Sequence, residues 1–401
     1  MIAILKREWK SYFQNITGWL FIAAVLALYG LYFLAYNLRA GYPYVSYTLS
    51  AISFIMLIAV PILTMRSMAE ERHSRTDQLV LTAPVSLGKM IFGKFLAMVG
   101  VFTVAVAVIA VTPLVLAAFG TVPLGENYVA VLGFWLYGCT CIAVGMLASA
   151  LTESQVIAAV VAFAFLFLGY MMNSITGLIG DHLVTKVLGA YDLYTPLQSF
   201  MSGCLDLTGV VYFVSVTGLC LFLTCQCVQK RRWSMTTKKL TTGMFSVAMI
   251  VVGFAVAVAV NLVVKEMPSS WTAVDATSTK LYSLTDTTKD YVKNLSQDVT
   301  IYVLSSEKSA DSTLAETLQR YEDLSKHLKV VYKDPAKSPN FYQQYTDSAP
   351  SQNSMIVVSD ARSRVVDYSD VYEYSYDYST YSSSVDGYDA EGQLTSALQY
   401  V

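Results

Sequence analysis

Seven apolar segments, each long enough to cross a bilayer, fill the first two thirds of this chain, and after Val264 the composition turns abruptly polar. No other feature constrains the fold as strongly. Inside hydrocarbon a segment must satisfy its own backbone N–H and C=O groups, so a run of about 20 apolar residues folds as a helix across a core of about 30 Å. The segments fall near 18–36, 46–63, 95–119, 128–149, 156–175, 207–227 and 242–264. They predict an all-α membrane part followed by a separate polar domain.

Only 14% of the 401 residues are charged, against about 25% in soluble domains, and the deficit lies in the first 264 residues. The net charge of −2 and the lack of a basic stripe with aromatic platforms exclude nucleic acid as a partner. Lys and Arg in short loops set orientation. Lys6, Arg7 and Lys10 precede the first segment, Arg66, Arg72, Arg75, Lys89 and Lys94 follow the second, and Lys230, Arg231, Arg232, Lys238 and Lys239 follow the sixth. The opposite loops carry only Arg39 and Lys186. This asymmetry predicts a cytoplasmic N-terminus and an extracytoplasmic C-terminal domain. Ile2, Leu5, Trp9, Tyr12 and Phe13 share one helical face, which predicts a short interfacial helix before the first span.

The spans hold almost no ionisable residue. A proton- or ion-coupled carrier keeps such groups at mid-depth, so work done by this membrane part is expected to draw its energy from another subunit. The six cysteines lie in or beside the spans, which excludes a disulfide-stapled outer domain. Cys225 and Cys227 have no His nearby and read as small residues in a membrane helix rather than metal ligands. Gly88–Lys89 and Gly93–Lys94 lack the spacing that wraps backbone N–H groups around phosphates. No cofactor, metal site or catalytic residue is predicted.

The loop after the second span, residues 63–95, reads LTMRSMAEERHSRTDQLVLTAPVSLGKMIFGKF. Charges cluster at its start, an amphipathic stretch follows at Thr76–Leu81, and Thr82–Ala83–Pro84 breaks it. This predicts a short helix on the membrane surface, presenting charge to a partner. The stretch resembles the first cytoplasmic loop of ABC-2 type permeases. LTESQVIA (151–158) resembles that family's turn between its fourth and fifth spans, and FMSGCLDLTGVVYFVS (200–215) its outer re-entrant segment. The likeness is closest to gliding-motility and copper-processing permeases. It implies that the chain is the permease subunit of an ABC transporter, exporter-like, working as a homodimer or paired permease in the lipid bilayer. It also implies a separate ATPase subunit, docked at a coupling loop carrying Arg66, Glu70, Glu71, Arg72 and Arg75.

The polar tail alternates helix-like and strand-like patterns: helices at 285–295 and 314–328, and strands at 299–304, 328–332, 355–359 and 365–368. That alternation predicts an open α/β sheet. The run from Trp271 to Leu304 resembles the start of the auxiliary component of the gliding-motility ABC transporter. The resemblance implies three parts: a six-span permease over 1–235, a seventh helix over 236–267 as the auxiliary anchor, and an incomplete extracytoplasmic α/β auxiliary domain over 268–401. Because Val401 falls soon after the resembled domain begins its second half, a longer natural protein is expected. Tyrosines crowd 368–388 among Ser and Asp; such a run reads as a hydrated loop, or as rings that stack on sugar faces. Asp367, Asp370, Glu373 and Asp377 lack the glycine-turn spacing of a calcium loop. A membrane sensor or scaffold with an outer ligand-binding domain is the alternative reading. The spans suit lipid, polysaccharide, peptide or metal-processing cargo alike.

Overall fold

The computed structural model describes residues 2–75, 86–179, 189–233, 239–265, 267, 273–275, 284–295, 297–306, 309–359, 361–377 and 382–401. The predicted stretch at Thr76–Leu81, the break at Thr82–Ala83–Pro84, Lys186, Lys238 and the run 276–283 lie outside them. The chain forms two compact units, Met1–Met267 with Thr272–Ala276, and Pro268–Trp271 with Thr277–Val401.

In the first unit the described residues include seven helices long and apolar enough to cross a membrane: Ile16–Arg39, Ser46–His73, Leu87–Ala117, Leu124–Leu151, Gln155–Gly177, Leu207–Gln229 and Ala248–Lys265. They overlap the seven predicted segments, and the protein is a multi-pass membrane protein. In chain order the elements are α1 (Ile2–Gln14), α2 (Ile16–Phe33, extended by a π-helical turn at Leu34–Arg39), α3 (Ser46–Thr64) and α4 (Arg66–His73). Next come α5 (Leu87–Ile109), α6 (Thr112–Ala117), α7 (Leu124–Leu151) and α8 (Gln155–Ile179). The unit closes with α9 (Tyr194–Met201), β1 (Cys204–Asp206), α10 (Leu207–Trp233), α11 (Lys239–Lys265) and β2 (Ala273–Asp275).

Helix α7 is the hub, packed against α3, α5, α8 and α10. Its Phe134, Tyr137, Cys141 and Ile142 are fully buried. Gly145 brings α7 close to α3, since a Cβ there would collide with the Thr64 side chain. At the far end of the first two spans, Asn37 Nδ2 donates to the carbonyls of Tyr42 and Tyr44 at 2.8 and 3.1 Å, and Thr48 Oγ1 donates to Asn37 Oδ1 at 2.8 Å. These bonds supply partners that the connecting loop's backbone lacks.

Two local differences from the sequence reading have clear causes. The third span begins at Leu87 rather than near 95, because Lys89 and Lys94 are part of the helix and not of a loop. The outer segment predicted as re-entrant is α9, a turn at Gly203 (φ 82°) and β1. Strand β1 pairs antiparallel with β2, placing Leu205 opposite Val274.

The second unit is built on a four-stranded mixed sheet of order β4-β3-β5-β6, comprising β3 (Val299–Val303), β4 (Leu328–Tyr332), β5 (Met355–Val358) and β6 (Ser363–Val366). Strands β3 and β4 are parallel; β3–β5 and β5–β6 are antiparallel. Alternation along β3 buries Val299, Ile301 and Val303. They meet α12 (Asp286–Lys293), α13 (Ser312–Leu324) and α14 (Ala390–Tyr400) through Val292, Leu318 and Leu394. Helix α13 ends at Leu324, short of the predicted 328, because Ser325 turns extended and Leu328 opens β4. Tyr321 joins α13 to α14, its hydroxyl 2.8 Å from Thr395 Oγ1 and 3.2 Å from the Glu391 carbonyl.

The tyrosine-rich run is not a loop. It forms an antiparallel hairpin, β7 (Tyr372–Asp377) with β8 (Ser382–Tyr388). Tyr372 faces Tyr388 with ring centroids 5.1 Å apart, and Tyr368 packs edge-on against Tyr372 at 5.5 Å. The hydroxyls of Tyr368 and Tyr372 both donate to Asp311 at 3.1 Å. Asp311 also caps α13 by accepting from the Leu314 N–H at 2.8 Å. Cross-strand aromatic pairing favours strands in a run whose composition reads as solvated. Asp367 is likewise spoken for: it accepts from the N–H and hydroxyl groups of Ser351 and Ser369 at 2.7–3.1 Å.

Candidate functional site

The second spanning helix, Ser46–His73, is interrupted near its end. After α3 the helix breaks at Met65 and resumes as α4. A new helix start leaves N–H groups without intrahelical partners. Here a side chain from another helix supplies them. Ser149 Oγ of α7 accepts from the N–H groups of Met68 and Ala69 at 3.2 and 3.1 Å, and donates to the Met65 carbonyl at 3.0 Å. The joint is therefore capped in trans, and Ser67, Met68 and Ala69 are buried against the bundle.

The charges predicted on this segment are shared among its neighbours. Arg66 holds Glu70 through two parallel bonds of 2.7 and 2.8 Å and donates to Thr17 Oγ1 on α2 at 3.2 Å. Glu71 lies 2.6 Å from Lys94 Nζ of α5 and 3.6 Å from Arg7 of α1. Lys94 is only 3% exposed and also donates to the Ser67 carbonyl at 2.8 Å. Arg72 pairs with Glu153, in the turn between α7 and α8, at 2.6 Å and donates to the Leu151 carbonyl at 3.4 Å. Arg75 adopts a left-handed φ of 57° and is exposed, like His73.

One short helix thus touches four others, and the α7–α8 turn, through polar bonds. The exposed pairs contribute little each, about 0–1 kcal/mol. The Lys94–Glu71 pair is different, because removing one partner of a buried pair strands a charge at a cost of about 3–5 kcal/mol. Sequence reasoning missed Lys94, Ser149, Glu153 and Thr17 in this assembly. Only the Arg66–Glu70 spacing was readable, as an i,i+4 pair.

On the other side of the junction lies α1. Its Ile4, Tyr12 and Phe13 pack against the bundle, while Ile2 stays exposed. Trp9 lies against Gly100 of α5, where any Cβ would collide with the indole ring. The stretch predicted as an N-terminal helix is helical, and it is docked on α5 and α2. Burial pushes the Tyr12 phenol well above its ordinary range, so it stays protonated.

Comparison with known families fits this architecture. Residues 39–228, from the end of the first span to the end of the sixth, match the family model described as ABC-2 family transporter protein. This stretch is similar to the membrane domain of ABC-2 family transporters. The junction around α4, with Ser149 and Glu153, lies within the match; α1 and α11 lie outside it. Residues 278–370 match a domain of unknown function, DUF7088. No curated protein matches the chain.

Proposed function

We propose that this chain is the permease subunit of an exporter-like ABC transporter, powered by a separate ATPase that docks at α4. The single observation that carries the reading is the trans-capped helix at the end of the second span. A push on the exposed His73–Arg75 end is transmitted through Arg66, Glu70, Glu71 and Arg72 to α1, α2, α5 and the α7–α8 turn. In this reading Arg75 makes the docking contact, and the other four pass the displacement on. The ABC-2 family membrane domain supports an ATPase partner, since such domains work with one. Pairing with a second permease, as a homodimer or otherwise, belongs to the same proposal.

Residues 1–235 act as the six-span permease, 236–267 as the anchor of an auxiliary module, and 268–401 as that module, related to the gliding-motility type. The Lys/Arg asymmetry supports a cytoplasmic N-terminus and an extracytoplasmic module. Asn261 of α11 donates to Ser215 Oγ of α10 at 2.7 Å, which suits an anchor fused to its permease. The test uses the tagged full chain and the ABC ATPase that copurifies with it. Arg75→Glu with His73→Glu, both on exposed positions, should cut copurification and coupled ATP hydrolysis on the order of tenfold. Undiminished association and coupling in that double variant would refute the docking assignment.

A further inference from the structure

A cleft of about 580 Å³ opens between α1, α4 and α5, within the range of about 300–1,000 Å³ typical of small-ligand sites. Its depth in the membrane follows from its position. Ile16 opens the first span, His73 closes the second and Leu87 opens the third, so the lining residues stand where apolar spans give way to headgroups. Three cations line it, Arg7, Arg66 and Lys94, and three carboxylates, Glu8, Glu70 and Glu71. Net charge is balanced, which disfavours a plain anion as much as a plain cation.

The groups are not equally committed. Lys94 is enclosed by Glu71 and the Ser67 carbonyl, and Arg66 by Glu70 and Thr17. Arg7 keeps 58% of its side chain exposed while contacting Glu8 and Glu71, and a guanidinium has five N–H donors. Ser67, on the cleft wall, is more than nine-tenths buried, and its Oγ has no hydrogen-bond partner. A buried hydroxyl left unmatched is costly; because that oxygen is sealed from solvent, Ser67 bounds the cleft rather than donating into it.

We propose that this cleft binds a zwitterionic phosphoester bearing a primary ammonium, namely the phosphoethanolamine headgroup of a phospholipid. The phosphate oxygens take donors from Arg7 and the hydroxyl of Ser11. The ammonium donates to Glu8 and Glu70. A choline headgroup has no N–H to donate, and a glycerol headgroup brings no positive charge to the carboxylates. The lipid form is favoured over the free ester because the cleft stands at the ends of three apolar spans. This inference does not depend on ATPase docking.

The experiment places the purified full chain in nanodiscs of equal phosphatidylethanolamine, phosphatidylcholine and phosphatidylglycerol and measures co-retained lipid by native mass spectrometry. Wild type should retain the ethanolamine lipid over either other lipid on the order of tenfold. Arg7→Ala and the isosteric Glu8→Gln should each abolish the preference, with Arg7→Lys retaining part of it. Arg7 is exposed, so these variants should elute as the folded species; a preference unchanged in both variants overturns the proposal. Equal retention of the three lipids does the same. Thermal protection by free phosphoethanolamine in detergent, without any lipid preference, overturns the lipid assignment in favour of a soluble ester.

Discussion

The fourth and seventh spans are both apolar enough to cross a membrane, yet 89% of the most apolar stretch of Leu124–Leu151 is buried within the protein and none of that of Ala248–Lys265 is. The difference lies in side-chain size and polar contacts rather than in hydropathy. Helix α7 offers Gly133, Gly138, Gly145, Ala143 and Ala148 to its neighbours, along with Thr140 and Ser149. Helix α11 exposes Val251, Val252, Val256, Val258 and Val263. Lipid tails are as apolar as leucine, so helices associate in a membrane through close backbone approach and polar bonds. A valine-rich face gains little from a protein neighbour and is left to lipid.

That contrast is open to test, and the largest effect is expected where the buried bundle holds a charge. Glu71→Ala leaves the Lys94 ammonium with the Ser67 carbonyl and should destabilise the full chain by about 3–5 kcal/mol in detergent unfolding. The double change Glu71→Ala with Lys94→Met should recover most of that. A double variant as unstable as the single one would show that the pair is not what matters.

Next in size is the size rule itself. Gly145→Leu drives a side chain into Thr64 and should cost about 1–3 kcal/mol or more. Gly253→Leu in α11 meets chiefly the edge of the Phe222 ring and should cost much less. Equal losses, read as melting shifts of the two variants, would remove the distinction between hub and rim.

The second unit extends the contrast to a half-exposed hydrogen-bond network, which pH reaches directly. Burial pushes the Asp367 carboxyl up, but the N–H and hydroxyl groups of Ser369 and Ser351 outweigh it and hold it well below the usual carboxylate range. A depressed carboxyl contributes stability that is present above its unfolded value, about 3.9, and lost as pH falls toward its folded value. Asp367→Asn should therefore cost about 1 kcal/mol at pH 7, in line with loss of a capping carboxylate. The gap from wild type should narrow below about pH 4. Hydrogen exchange of the 367–371 amides in the full chain would read this. A gap constant from pH 7 to pH 3 would deny the carboxylate its role.

The smallest effect is expected at the rim. Asn261→Leu removes the bond to Ser215 and should cost about 0.6 kcal/mol, the average for interhelical polar contacts in membranes. A loss of several kcal/mol would mean that α11 is held as firmly as α7.

The sequence was informative wherever physics acts along the chain. Backbone self-satisfaction sets the span count, so the seven apolar runs overlap seven spanning helices among the described residues. The apolar run at 299–304 named a strand, and the structure adds that only alternate residues of it are buried. It failed where partners are distant in sequence. Lys94 read as a loop charge, although its position in α5 buries it against Glu71. Glu8 carried no signal at all, because a Glu on a basic amphipathic helix looks like solvated surface until α1 docks. The tyrosine run looked hydrated because the hydroxyl partner it needed, Asp311, stands some 60 residues earlier.

By itself, then, the sequence determined that this is a multi-pass membrane chain followed by an α/β domain, because hydrogen bonding within helices and period-two burial in strands are local demands. Only the tertiary structure decided which span is the hub, which charges are buried, and that Ser149 of one helix caps another. Those outcomes depend on residues roughly 20 to 80 positions apart meeting after the helices pack, and no local pattern encodes that meeting.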